Sequence, residues 1–154
     1  MSDWIKVRAD EIRLAEKQKK EERERQIEAA NVLKAKIEPF WNDLLSVLQS
    51  SVEAFNREFP EAERAIDKVE KPSPSNLTIR RSVYPAAFVK IQLGNGSTSV
   101  KYSISRTQRK GTDPIESDGS LSVGLADGEP AYIGNGVAHH EDVARLCLEP
   151  FFQF

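Results

Sequence analysis

The apolar positions in the first third of the chain fall at helical spacing. Leu33, Ile37, Trp41, Leu44, Leu48, Val52, Phe55 and Phe59 follow one another in steps of four, four, three, four, four, three and four residues. That pattern keeps all eight on one face of a helix. Phe40, Leu45 and Val47 widen the face, and a stripe this broad suits a domain core better than the narrow seam of a two-stranded coil. An amphipathic helix is therefore expected over residues 27–59. Pro39 interrupts it. Proline lacks an amide donor and crowds the preceding turn, so a kink or a break is predicted near Ile37 and Glu38. In the second case a new helix begins with Pro39 in its first turn, where the missing donor costs little.

Upstream the pattern changes. From Glu16 to Gln26 the chain is made of helix-forming charged and amide residues, with no large apolar side chain. Glu16 and Lys20, and Glu21 and Arg25, stand at i,i+4 spacing, worth about 0.2–0.5 kcal/mol a pair. Nearer the start, Ile5 and Ile12 share a face, as do Val7 and Leu14, with Trp4 beside them. Residues 1–26 thus read as a charged helical arm. Three roles fit such an arm: a solvated helix that frays, a self-association or partner-binding element, or a membrane-surface helix. The last is disfavoured because residues 1–38 hold ten Lys or Arg against nine Asp or Glu, whereas interfacial helices are usually basic.

Residues 60–75 form a junction. Pro60 and Glu61 can restart a short helix, residues 64–69 can equally make a first edge strand, and Pro72 and Pro74 impose extended chain. The remainder reads as a β-meander over residues 76–133. Alternation marks strands at 77–83, 87–93 and 98–107, and shorter ones at 121–125 and 131–133. Gly94-Asn95-Gly96 is a hairpin signal, Asp127-Gly128 another, and Gly111, Asp113-Pro114 and Asp118-Gly119 read as a loop. A C-terminal helix is expected over 139–149, with Glu141 and Asp142 in its first turn and Pro150 as its stop. The expected fold class is α+β: a long N-terminal helical region packed on an antiparallel meander of four or five strands and closed by a C-terminal helix, with residues 27–154 as one domain.

Charge sharpens the picture. The 154 residues carry a net charge of −2, which conceals a split. Residues 76–111 contain Arg80, Arg81, Lys90, Lys101, Arg106, Arg109 and Lys110 and no acid, net +7, whereas residues 112–154 are net −7. Strand alternation directs Leu77, Ile79, Val89, Ile91, Leu93, Val100, Tyr102 and Ile104 inward. Arg80, Phe88, Lys90 and Lys101 then face outward among serine and threonine hydroxyls, and Arg106 breaks the inward pattern at a strand end. Such a face is either a solvated sheet surface neutralised by the acidic segment, or a candidate anion platform of Arg80, Lys90, Lys101 and Arg106 with Phe88 available for base stacking. A single outward aromatic and a pI near 5.8 argue against a dedicated nucleic-acid binder.

Motifs for chemistry are sparse. His139 and His140 are adjacent, so on a helix they diverge by about 100°, and neither a third histidine nor a second cysteine completes a zinc set. Cys147 stands among Val143, Leu146 and Phe151, a setting for an inert buried thiol. The glycine turns lack the spacing and lysine of a phosphate loop. No catalytic residue, metal site or cofactor is assigned. The single cysteine excludes an internal disulfide. Neither a membrane-spanning run nor a secretory leader is recognisable, so a cytoplasmic protein is expected. The aromatic end Phe151-Phe152-Gln153-Phe154 reads as a tail that packs back or a docking peptide. The expected function is an interaction or adaptor protein that binds a protein partner or itself through the arm, with Trp4, Ile5, Ile12, Phe152 and Phe154 as candidate contacts. The alternative is a nucleic-acid or anionic-ligand binder using the basic sheet face.

Overall fold

The computed structural model describes residues 3–94, 98–134 and 136–153. The order of elements is α1 (Asp3–Glu58), β1 (Lys68–Ser73), β2 (Asn76–Arg81), β3 (Ala86–Leu93), β4 (Ser99–Thr107), β5 (Ile115–Ala126), β6 (Glu129–Ile133) and α2 (His140–Leu148), followed by a 3-10 turn over Glu149–Phe152. All six strands form one antiparallel sheet in sequence order, a simple meander. This is the α+β architecture that the periodicities imply, with six strands where four or five were expected.

The helical stripe and the inward strand positions meet in one core. Leu33, Ile37, Trp41, Leu44, Leu48, Val52 and Phe55 are buried in the same cluster as Leu77, Ile79, Val89, Ile91, Val100 and Ile104. Each such side chain contributes about 1.5–3 kcal/mol on leaving water, so this ridge-on-sheet contact is the main force joining the two layers. Polar ties set the helix's position along the sheet. Lys36 Nζ donates to the carbonyl of Gly128 at 2.9 Å and to Glu129 Oε1 at 2.7 Å. Trp41 Nε1 donates to the carbonyl of Pro74 at 2.8 Å, and the Asn56 amide both donates to and accepts from the backbone of Ile66.

Pro39 does not break the helix: α1 is continuous from Asp3 to Glu58. The amide that proline lacks leaves only the carbonyl of Ala35 without its helical partner. Both residues lie on the exposed side of α1, where a missing intrahelical donor costs less than it would in the core.

Two strand assignments differ from the sequence pattern. Residues 61–65 form a turn rather than a helix, and β1 follows at Lys68–Ser73, an exposed edge strand that accommodates Pro72. The region read as a loop around Asp118-Gly119 is strand: β5 starts at Ile115 and pairs with β4 along its length. Gly119 stands opposite Tyr102 in register, and a Cβ on Gly119 would collide with the Tyr102 ring. The glycine is there to admit the ring, not to turn the chain. At Asp127-Gly128 both residues have positive φ, 52° and 78°, as the tight β5–β6 hairpin requires. The expected turn at Asn95-Gly96 lies outside the described residues, with β3 and β4 in place on either side of it, and Asn135, between β6 and α2, lies outside them too.

Read from the sequence only as one of the basic residues of 76–111, Arg81 is in the structure the most consequential polar residue of the core. It is 1% exposed. Its guanidinium donates to the carbonyls of Pro85 (2.9 Å), Arg64 (3.1 Å), Phe151 (2.7 Å) and Gln153 (2.9 Å). Four carbonyls from three separate segments converge on one planar fork, and the C-terminal tail is thereby fastened to the sheet. Continuing the period of two from Leu77 and Ile79 points to Arg81 as inward.

Candidate functional site

The arm is the first candidate. The core-facing part of α1 begins at Leu33. From Asp3 to Asn31 every residue is exposed except Ala9, which is half-exposed. At about 1.5 Å per residue that stretch extends roughly 40 Å from the body. The helix is laced by short ion pairs, Arg8 with Glu11 (3.2 Å), Arg13 with Asp10 (3.4 Å) and Arg25 with Glu22 (3.2 Å). All three are well exposed and individually weak, at most about 0.5 kcal/mol. Trp4 is 70% exposed, and Ile5, Val7, Ile12, Leu14 and Ile27 also stand in solvent. The arm therefore carries apolar side chains that nothing in its own chain covers among the described residues.

The outer sheet face is the second. Lys90, Lys101 and Arg80 are exposed on the side opposite α1, as alternation requires. They are not alone there. In register across the sheet, Lys90 lies beside Ser103 and Ser103 beside Asp118, while Phe88 lies beside Ser105 and Ser105 beside Glu116. The acidic block thus meets the basic block on the same surface, on adjacent strands. A shallow depression of about 400 Å³ holds Lys90, Gln92, Lys101, Ser103, Asp118 and Ser120. The Phe88 ring is covered by Arg80, whose guanidinium carbon lies 4.9 Å from the ring centroid, a cation–π contact that occupies the surface a base would need. Arg106 is not part of this face. It pairs with Ala87 on the core side and lines a small pocket of about 150 Å³ with Arg81, Pro85 and Gln153. The four expected cations therefore do not converge.

The C-terminal aromatic residues divide. Phe151 is fully buried against Phe55, as a tail that packs back would be. Phe152 is 49% exposed and sits edge-on to Phe55 and Phe59 at 5.0 and 6.0 Å, on the wall of an apolar groove of about 360 Å³ between α1 and α2. Phe154 lies outside the described residues.

His139 is exposed at the start of α2, His140 is half-buried and Cys147 is buried. Asp142 accepts the backbone amides of Ala138 (3.0 Å) and His139 (2.9 Å) and so caps α2; those two bonds hold its carboxyl below the usual range. The His140 ring packs tilted against Phe40, with centroids 4.5 Å apart, and its Nδ1 lies 2.8 Å from the Tyr132 hydroxyl. Burial lowers the imidazole's pKa, against a raising effect from Asp43, and burial pushes the phenol up. Burial thus favours the neutral form of both partners of this hydrogen bond. The Cys147 thiol is buried and pushed up to about 12 by desolvation, which leaves little thiolate for nucleophilic chemistry. Among the described residues no three metal-ligating side chains cluster, and no helix is long and apolar enough to cross a membrane. Comparison with known proteins returned no matching family model, no matching curated protein and no matching solved structure.

Proposed function

We propose that this is an interaction protein whose N-terminal helical arm is the binding element. One observation carries the reading: a helix that continues roughly 40 Å past its own body while exposing Trp4, Ile5, Val7, Ile12 and Leu14. A lone helix in water is marginal, because propagation gains little per residue without an apolar face to bury. Exposed apolar side chains gathered on one such element mark a surface that another molecule covers. The outer sheet face supports a weaker case, since Glu116 and Asp118 stand beside its lysine-bearing strands and Arg80 already covers Phe88.

The test compares the full chain with a Trp4→Ser, Ile5→Ser, Ile12→Ser variant. Light scattering gives the mass, and mass spectrometry identifies co-purifying proteins. The reading expects a lower mass or a lost partner with the circular dichroism of the body unchanged. Identical mass and identical co-purification profiles would refute it.

A further inference from the structure

We infer that the partner of the arm is the arm of a second copy of this chain, laid antiparallel about a twofold axis between residues 17 and 18. The inference rests on the reading of the arm as the binding element and adds the identity of its partner. The face of α1 that is buried from Leu33 onward continues past the body as an exposed, largely polar face. Followed back from Leu33, the same helical face runs from Ala30 to Ile5 in steps of four and three that alternate throughout. At about 100° per residue these positions remain within the same arc of roughly 120° as the core stripe. Its middle is charged, with Glu16, Lys19 and Arg23, all exposed and holding no ion pair in their own chain among the described residues.

The order of steps is the same read from either end, so the face meshes with its own reverse. In the antiparallel register Glu16 lies opposite the partner's Lys19, and the twofold repeats that contact. Ile12 lies against the aliphatic stem of the partner's Arg23, Ala9 against Gln26, and Ile5 against Ala30. In a parallel, in-register pair the same face would set Glu16 on Glu16, Lys19 on Lys19 and Arg23 on Arg23, three like-charge contacts on one seam. Charge therefore selects both the occupant and its direction. The overlap spans about 38 Å, nearly the whole projecting arm, and brings each arm's tip to the foot of the other body, where Leu33 enters the core.

The experiment is sedimentation equilibrium on the full chain, Glu16→Lys, Lys19→Glu, and the double variant, at up to roughly 100 µM. Circular dichroism verifies that each keeps its helix. A dimer is expected, weakened about fivefold to thirtyfold by either single reversal, because two attractive contacts become two repulsive ones. The double variant, which swaps the signs and restores complementarity, recovers the original affinity to within about twofold. Four proteins that dimerise equally would overturn the inference, since a parallel or unrelated interface is blind to the swap. A chain that stays monomeric throughout would also overturn it. If the Trp4, Ile5, Ile12 variant nevertheless loses a different protein partner, the arm remains the binding element and only its pairing with itself falls.

Discussion

Arg80 and Arg81 are neighbours in sequence and opposites in physics, and the contrast can be measured. Replacing Arg81 by Met keeps most of the side chain's length and removes its fork of donors. Four charge-assisted bonds to the carbonyls of Arg64, Pro85, Phe151 and Gln153 are lost. At about 1.5–3 kcal/mol each their sum would exceed 6 kcal/mol, but removing the charge also relieves several kcal/mol of desolvation. The balance is a loss of about 3–5 kcal/mol, because the carbonyl of the fully buried Phe151 is left unpaired. In a domain of this size that lowers Tm by roughly 6–20 °C. The Arg81→Lys variant should recover little, since one ammonium cannot match a planar fork. The Arg80→Met variant loses only an exposed stack on Phe88, about 0.5–1 kcal/mol. Urea unfolding followed by the fluorescence of the buried Trp41 and by circular dichroism reads all three. Equal midpoints for the Arg80→Met and Arg81→Met proteins, with unchanged m-values, would refute the account of Arg81 as the clasp of the C-terminal tail.

Two further outcomes follow from particular contacts. His140 is held neutral by burial between Phe40 and Tyr132. Its folded pKa lies below its unfolded value, so the unfolded chain takes up the proton first and stability falls as pH drops below about 6.5. Urea midpoints between about pH 7.5 and pH 5.5 should show that decline, and a His140→Gln chain should be flatter across the same window. Gly119→Ala should cost about 1–3 kcal/mol by pushing the Tyr102 ring off the strand; the cost should largely vanish in a Tyr102→Ser background, and a cycle showing full additivity would refute the contact.

The period of the apolar residues was enough to define α1's buried face, the inward and outward residues of β2, β3 and β4, and the α+β class, because burial on one face imposes its own spacing on any chain that folds this way. Charge counting exposed the opposed blocks, and strand alternation set Arg80, Lys90 and Lys101 on the solvent side. Local signals misled where a residue's role is decided by a distant one. Asp118-Gly119 has the composition of a turn, yet Gly119 serves a tyrosine on the neighbouring strand. Of the kink or break that Pro39 signals, the break does not occur, and the helix runs on through it, anchored by the core residues on either side. Arg106 shares its charge with the outer cations but ends on the core side. Only the assembled chain brought Arg64, Pro85, Phe151 and Gln153 around Arg81, since carbonyls carry no sequence signature and every residue has one. Spacing along the chain dictates which face is buried; which groups meet across that burial is set by the packing of segments far apart in sequence, and that is a property of the tertiary fold alone.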